Sequence, residues 1–249
     1  MSNLIFRRFS LRGLISAFTA LFVLAMATTI GHYANEVRIA RNDTPALVVQ
    51  AWQCYGKHLS VRDLPPKRLQ MLLAVEDPFF FEHRGVDLAT PGAGMTTITQ
   101  GLVKLMYFPD GFHQGIAKIR QTLIAQYALD ALVSKNEQLD LLLNIAYLGN
   151  TDGRAIHGFS NAARTYFGKE FDALSDTEFL SLVAMLIAPN RYTPGSPAHA
   201  ERMQRVEAVL SGTYRPLSIL DAEYNGTVSG TFAEEALMAL LRIITEAKP

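Results

Sequence analysis

The 249-residue sequence predicts a mainly α-helical domain that follows one N-terminal membrane-spanning helix. Residues 13–30 form an uncharged apolar run that is long enough to cross a bilayer. Further along, Ser134 and Ser175 each begin an S-x-x-E capping box, and each box precedes a long apolar stretch without strand-like alternation. The first of these helices is expected to end at Gly149 and the second before Pro189.

The charges around the apolar run predict its orientation. Arg7, Arg8 and Arg12 precede the first acidic residue, which by the positive-inside tendency keeps the N-terminus in the cytoplasm and the domain outside. A cleaved signal peptide is the alternative, because residues 25–27 read A-M-A. The expected organisation is a cytoplasmic arm 1–12, a membrane anchor 13–33, a connector 34–58, a main domain 59–200 and a C-terminal helical extension 201–249, with a last amphipathic helix over 232–247.

The composition excludes two classes of site. The 23 basic residues balance 23 acidic ones, so bulk charge gives no indication of nucleic-acid binding. Cys54 is the single cysteine, which rules out an internal disulfide and a cysteine-based zinc site. We expect its thiol to lie in the core.

The first cluster that carries chemistry reads AVEDPFFFEHRGVD. Asp63 is expected to cap a helix that ends near Asp77, because Pro78 disfavours a helical residue before it. Glu76 then lies at the helix C-terminus, where the negative end of the dipole and the phenylalanines at 79–81 disfavour its ionised form. A carboxyl group with a raised pKa suits proton transfer near neutral pH. From the pattern alone, a helix-ending turn with a solvated glutamate is an equally good explanation.

The second cluster, GAGMTTITQGLVKLMYF, begins at Gly92. Thr97, Gln100 and Lys104 share one face of a predicted helix at positions i, i+3 and i+7. Free N–H groups at a helix start and a lysine two turns further on suit a bound anion. An ordinary capped amphipathic helix is favoured by the spacing alone. Lys118 adds positive charge further along, which by itself indicates a solvated helix face.

Taken together, these motifs resemble the glycosyltransferase family 51 domain, the transglycosylase module of penicillin-binding proteins and of monofunctional transglycosylases. The family's first motif, E-D-x-x-F-x-x-H-x-G, is matched in full, and four further motifs follow in order. The matching residues are Glu76, Asp77, Phe80, His83 and Gly85, then Gly94, Thr97, Ile98, Thr99, Gln100, Leu102 and Lys104, then Ser134, Lys135, Leu139, Leu143, Asn144, Tyr147 and Gly149, then Gly158, Ala162, Ala163, Tyr166, Phe167, Gly168 and Lys169, and finally Pro189, Asn190 and Tyr192.

The resemblance implies a lysozyme-like, two-lobed helical fold with a cleft near the membrane surface. It implies lipid II as the substrate, glycan-strand extension as the reaction and undecaprenyl pyrophosphate as the leaving group. Glu76 would be the catalytic base. The implied substrate-binding residues are Asp77, His83, Thr97, Thr99, Gln100, Lys104, Lys118, Ser134 and Lys135. The implied setting is the periplasmic face of the bacterial inner membrane, with other cell-wall synthesis proteins as possible partners and no nucleic acid.

The sequence departs from the family pattern on the diphosphate side. The family's second glutamate, which is associated with diphosphate or metal handling, aligns with Thr122 or, after a one-residue shift, with Gln121. Gly101 and Leu105 replace a glutamine and an asparagine, and the stretch from 85 to 94, which in the family belongs to the small lobe, is shorter than usual. No metal-ligand set is predicted, and a magnesium ion is the one cofactor that the resemblance leaves open.

Three functions stay open at this point. An active but slower glycosyltransferase is favoured, because loss of one charge-stabilising group commonly costs about 100- to 1000-fold in rate and does not remove all activity. The alternatives are a non-catalytic lipid II or glycan-binding protein with the same fold and a lysozyme-like enzyme that cleaves glycans with Glu76 as its acid. Asp130 and Asp140 are the helical carboxylates that could replace the missing glutamate, and we expect both to point elsewhere.

Overall fold

The computed structural model describes residues 11–113 and 115–245, and within them the chain is mainly helical. The predicted mainly α-helical class, with one long apolar helix at the N-terminus, is confirmed. Residues 1–10 of the expected cytoplasmic arm lie outside the described residues. The elements are α1 (Leu11–Tyr55), α2 (Pro66–Glu76), α3 (Ile98–Tyr107), α4 (Ile116–Ile124), a π-helical turn (Ala125–Leu129), α5 (Asp130–Leu132), α6 (Lys135–Ile145), β1 (Tyr147–Thr151), β2 (Arg154–His157), α7 (Phe159–Phe167), α8 (Asp176–Met185), α9 (Pro197–Leu210) and α10 (Phe232–Ile244).

Helix α1 joins the apolar segment to the domain. In the described part of the chain it is the one helix that is long and apolar enough to cross a membrane, and its apolar window is not buried against the protein. The residues expected to form a connector continue this helix as far as Tyr55. There the Thr44 hydroxyl lies 2.6 Å from the Tyr107 hydroxyl, and Glu36 forms an ion pair with Arg120 at 2.7 Å. The second half of α1 is therefore packed onto α3 and α4.

Helices α6 and α8 form the centre of the domain. Every residue from Gln138 to Ile145 and from Phe179 to Met185 is buried, and burial on all sides is typical of an interior helix. As predicted, Ser175 provides a complete capping box for α8 and the helix ends before Pro189. Helix α2 packs on α8, α3 on α6, and α9 on α8. The central pair thereby fixes the three helices that surround the cleft described below.

Three local predictions were wrong. Helix α6 ends at Ile145, and Gly149 instead lies in strand β1 with a φ of 100°, because a β-hairpin with β2 takes the chain onward. Asp63 does not cap α2, since its carboxylate accepts a hydrogen bond from the backbone N–H of Ser60 in the preceding turn and Pro65 precedes the helix. The thiol of Cys54 is exposed, because the burial of α1 against the domain stops short of its last turn.

The residues after α9 fold back over the short segment from 85 to 94. The backbone N–H groups of Gly92 and Gly94 donate to the carbonyls of Ser218 and Ile219 at 2.8 and 3.0 Å. Gly92 has a φ of 81°, and a Cβ there would come within 2.5 Å of Pro216, so this contact requires glycine. The expected C-terminal helix is present as α10, and residues 246–247 of that prediction lie outside the described residues. The extension is thus an integral part of the domain.

Candidate active site

A cleft of about 460 Å³ lies where the C-terminal end of α2 meets the start of α3. Its other walls come from the end of α6, the turn after α8, helix α9 and the loop after α9. Of the residues predicted from the sequence, Glu76, Thr97 and Lys104 line it. The structure therefore brings the expected base and two of the expected anion-binding residues to one cavity.

Glu76 is the last residue of α2 and is half-buried at the cleft wall. Within residues 11–113 and 115–245, no ion pair or side-chain hydrogen bond holds its carboxylate. Burial raises the pKa of Glu76 to about 7, the positive charge of Arg202 opposes this rise, and the negative charge of Asp77 adds to it. Such a group accepts or donates a proton near neutral pH, as general acid–base chemistry requires.

The phenylalanines that were expected to surround Glu76 do not line the cleft. Phe80 is fully buried in the core, whereas Phe79 and Phe81 are 46% and 51% exposed, and none of the three lines the cleft. The apolar residues that line the cleft come from distant parts of the chain, among them Leu142 and Ile187. The direction of the pKa shift agrees with the prediction, and desolvation and the negative charge of Asp77 both contribute to it.

Asp77 and His83 hold the two helix ends that meet at the cleft. The two oxygens of the buried Asp77 carboxylate have protein partners: Oδ1 lies 2.8 Å from the Nε2 atom of His83, and Oδ2 accepts a hydrogen bond from the backbone N–H of Ile98 at 3.0 Å. Asp77 therefore ties the end of α2 to the start of α3. Neither Asp77 nor His83 lines the cleft, so both act on the cleft through the helix ends that they hold.

The start of α3 forms the second wall. Thr97 and Gln100 make a reciprocal capping box, and the Thr97 hydroxyl donates to the Gly85 carbonyl at 2.7 Å. Because Gln100 turns back to cap the helix and is fully buried, it does not share the cleft face with Thr97 and Lys104. Gly101 does face the cleft, and a Cβ there would meet no atom within 4 Å. This open position is where the family pattern has a glutamine.

Lys118 lies behind this wall. Its Nζ atom donates to the Thr96 hydroxyl at 3.0 Å, and Thr96 lines the cleft. Burial, with a further contribution from the positive charge of Lys104, lowers the pKa of Lys118 to about 7. The lysine is thus linked to the cavity through one threonine, and only part of the population is charged near neutral pH.

A neutral network occupies the position of the family's second glutamate. The Gln100 side-chain amide donates to the Thr122 hydroxyl at 2.9 Å, and the Gln121 amide donates to the Gln100 carbonyl at 2.7 Å. Both Gln121 and Thr122 are buried. The described residues contain no group of three or more His, Cys, Asp or Glu side chains that could hold a metal ion. With ammonium and hydroxyl groups on this wall, the donor set does not fit a magnesium ion.

The remaining predicted residues lie away from the cleft. The Thr99 hydroxyl is buried and donates to the Gln138 side chain at 2.7 Å, and Ser134 caps α6. Lys135 forms an ion pair with Asp130 at 2.7 Å and lies over the Phe80 ring. The resemblance suggested these residues because they share motifs with cleft residues, but their side chains serve packing and helix capping in this structure.

Asp130 and Asp140 were expected to point away from the diphosphate site, and neither lines the cleft. Asp130 is paired with Lys135 as described above. The Asp140 carboxylate accepts hydrogen bonds from the Ser60 hydroxyl and the Val61 backbone N–H, and it forms an ion pair with Lys57 at 3.1 Å. Neither residue replaces the missing glutamate.

Sequence reasoning missed the contribution of the C-terminal extension. Arg202 on α9 and Ala222 in the following loop both line the cleft. A buried arginine on an otherwise amphipathic helix carries no motif, so the signal was too weak to single out. The short segment at 93–95 also lines the cavity, held in place by the extension.

Comparison with known proteins identifies the family. A family model described as "Transglycosylase" matches residues 47–213, more than half of the chain. The chain belongs to this transglycosylase family. Penicillin-binding protein 1A of Streptococcus pneumoniae is 31% identical over 156 residues, which cover 57% of this chain and 21% of that protein. Penicillin-binding protein 1B of Buchnera aphidicola is 32% identical over 143 residues, or 52% and 19%.

The comparison also finds a relative of similar length. A protein of Cupriavidus necator, named provisionally as a transglycosylase, is 27% identical over 231 residues, which cover 88% of this chain and 97% of that protein. The chain spans only about a fifth of the length of the penicillin-binding proteins it matches. Family membership supports glycosyltransferase activity in peptidoglycan synthesis at the level of the family.

Proposed function

We propose that this chain is a peptidoglycan glycosyltransferase that polymerises lipid II at the periplasmic face of the bacterial inner membrane. The observation that carries the proposal is the position of Glu76, a cleft carboxyl group whose pKa is raised to about 7 and which no cation holds in an ion pair among the described residues. A group in this state can take a proton from a sugar hydroxyl.

In the proposed reaction, the hydroxyl oxygen of the acceptor sugar attacks the anomeric carbon of the donor. The new glycosidic C–O bond forms as the C–O bond to the diphosphate breaks, and undecaprenyl pyrophosphate leaves. The hydroxyl proton passes to the Glu76 carboxylate. Because α1 packs directly onto α3 and α4, it would hold the cleft at a fixed distance from a membrane that contains the lipid-linked substrate.

The wall formed by α3 is the proposed diphosphate side. Lys104 faces the cleft directly, and Lys118 reaches it through the Thr96 hydroxyl. Positive charge in a partly desolvated cavity stabilises the negative charge that develops on a leaving diphosphate. Thr97 also lines the cleft, but its hydroxyl is bound to the Gly85 carbonyl and to the Gln100 backbone N–H, so it holds the start of this wall.

The test is polymerisation of lipid II by the full-length chain in detergent or nanodiscs. Glu76→Gln is expected to reduce the initial rate by at least about 100-fold, because general base catalysis contributes on that order. Glu82→Gln is the matched control, since Glu82 belongs to the same motif but is exposed and does not line the cleft. Equal rates for wild type and Glu76→Gln would refute the proposal.

The neutral network around Gln121 and Thr122 favours one second candidate, a non-catalytic member that binds lipid II. Under this alternative, lipid II binds to the wild-type protein but no polymer forms, and Glu76→Gln leaves binding unchanged. Release of shortened glycans from intact sacculi, with no polymer from lipid II, would instead identify a glycan-cleaving enzyme that uses Glu76 as an acid.

A further inference from the structure

A buried arginine from the C-terminal extension lines the same cleft as Glu76. Arg202 is only 1% exposed, and its Nη1 atom donates to the Ala222 carbonyl at 2.9 Å. Its Nε atom has no hydrogen-bond partner within the described part of the chain. No carboxylate among the described residues lies within ion-pair distance of Arg202, so no direct contact neutralises its charge.

Such a cation is unfavourable unless its surroundings offset the loss of hydration. One offset is the Tyr224 ring, whose centroid lies 4.6 Å from the guanidinium carbon of Arg202. The other is the negative charge that Glu76 carries when it is ionised. Arg202 and Glu76 line the same cleft, and a cation that acts on a carboxyl group with a shifted pKa is typical of sites that control protonation.

Tyr224 connects Arg202 to the backbone of helix α2. Its hydroxyl donates to the carbonyl of Val75, the residue before Glu76, at 2.9 Å. Tyr224 has a φ of 57°, a conformation that is unfavourable for a residue with a Cβ and that needs support from its surroundings. Asp221 gives that support, because its carboxylate accepts the backbone N–H groups of Asn225 and Gly226 at 2.9 and 3.0 Å.

We propose that Arg202 is a positioning residue of the reaction: held by the Tyr224 ring and the Ala222 carbonyl, it offsets part of the desolvation of Glu76 and so favours the carboxylate form that accepts the proton. The inference rests on the proposed function. It adds a residue from outside the family motifs, and it explains why the extension after residue 200 is folded into the cleft wall. Because Arg202 is buried, it acts through Glu76 and not by touching the substrate.

Several titratable groups act on Glu76 or line the same cleft. Asp77, on the same helix, opposes ionisation, and Arg202 from α9 favours it. Tyr224 from the following loop stays neutral, since burial raises its pKa to about 12. Lys104 of α3 and Tyr147 after α6 also line the cleft. The residues of the turn after α8 that line the cleft are uncharged. Arg202 is the cation whose charge lowers the pKa of Glu76.

The direct test is titration of the Glu76 carboxyl group by NMR in the full-length chain, with glutamate labelled at Cδ and the signal assigned by Glu76→Gln. Arg202→Met is expected to move the midpoint upward by about one pH unit, because a nearby opposite charge lowers a carboxyl pKa by about that much or more. The acidic limb of the kcat/KM profile should move with it. At pH 7, kcat of Arg202→Met should be about fivefold below that of the wild type, and at pH 9 the two values should be nearly equal. KM should change little at either pH. Arg202→Lys keeps the charge and should restore the wild-type midpoint.

Arg205→Met is the matched control. Arg205 lies one turn further along α9 and its Nε atom donates to the Glu223 carbonyl at 2.9 Å, but it does not line the cleft. Loss of this bond loosens the same loop and should leave the Glu76 midpoint unchanged. If Arg202→Met does not fold, Arg202→Gln provides the same test, since its amide can still donate to the Ala222 carbonyl.

The outcomes separate the two proposals. An unchanged midpoint in a neutral Arg202 variant of an active enzyme, or an equal shift in Arg205→Met, would overturn the role of Arg202 alone. Wild-type protein that makes no polymer at any pH would overturn the proposed function, and with it the reaction role of Arg202, although the titration would still measure the coupling between the two side chains.

Discussion

The two sides of the cleft differ in how much of the family pattern they retain. On the side of Glu76 the first family motif is intact, and Asp77 and His83 hold the helix end in place. On the opposite side the second family glutamate is absent, and Gln121 and Thr122 form neutral hydrogen bonds in its place. The first side retains an acidic group whose pKa burial raises, whereas Lys104 and Lys118 on the second side form no ion pair with a carboxylate in the described part of the chain.

This difference shows how burial adjusts opposite charges to the same pH range. Burial raises the pKa of Glu76 from 4.5 to about 7 and lowers that of Lys118 from 10.5 to about 7. A carboxylate beside Lys118 would favour its charged form and raise its pKa. Under the proposed function, the diphosphate of the bound substrate would then be the main partner for the positive charge. The cleft is therefore expected to respond to pH more strongly than a cleft with both glutamates.

The largest effect that separates the two sides is expected from Lys104→Met. Lys104 is the lysine that lines the cleft directly, so its loss should reduce kcat/KM for lipid II by about 10- to 100-fold. Raising the ionic strength should lower kcat/KM of the wild type and leave that of the variant nearly unchanged, because salt screens exposed charges. The difference between the two proteins should therefore shrink at high ionic strength. Initial rates of polymerisation against salt concentration measure both effects.

Lys67→Met is the control for Lys104→Met. Lys67 is an exposed lysine at the start of α2, paired with Asp176 and outside the cleft. It should retain wild-type kinetics. Equal losses in the two variants would show that general surface charge, and not the α3 wall, attracts the substrate.

A smaller but more specific effect is expected in the pH profile. Glu76 acts as a base only above its pKa of about 7, and Lys118 binds an anion as a cation only below its pKa of about 7. The kcat/KM profile should be a narrow bell centred near pH 7, with only about a quarter of the free enzyme in the required state at the maximum. In the kcat profile the alkaline limb should lie at higher pH, since the bound diphosphate favours charged Lys118.

Lys118→Arg tests the assignment of the alkaline limb. An arginine stays protonated throughout the range, so the limb should disappear while the acidic limb stays in place. Persistence of the alkaline limb in this variant would assign it to another group.

The base side of the cleft could be predicted from the sequence because its signals are local. Pro78 ends α2, and the motif around Glu76 places a carboxyl group at that end. The capping box at Thr97 likewise follows from a spacing of three residues. Helix ends and caps depend on neighbours in the chain, and therefore they can be found without coordinates.

The features that could not be predicted depend on contacts between distant residues. Gln100 matched a family motif, yet only the fold shows that its side chain is buried against Thr122 and not in the cleft. Arg202 and Tyr224 carry no motif, and their role arises because the extension packs against Val75 and Gly92. The continuous α1 was missed because polar residues after the apolar run look like a connector, although packing on α3 and α4 stabilises them as helix.

The smallest effect concerns the free energy of unfolding, and it tests whether ionisation of the buried Glu76 carboxyl group destabilises the folded protein. Since its pKa is higher in the folded protein than the ordinary 4.5, the folded state binds more protons between pH 4.5 and about 7. Stability therefore falls as pH rises through this range and stays constant above it. Glu76→Gln removes the cost, so at pH 8 the inactive variant should be more stable by at most about 3 kcal/mol, with no gain at pH 4. Thermal unfolding in detergent between these values, with Glu82→Gln as the exposed control, measures the difference. A gain in stability that is the same at every pH would mean that packing, and not desolvation of a carboxylate, causes the difference between the two proteins. The destabilised carboxylate would then no longer distinguish the base side from the anion side.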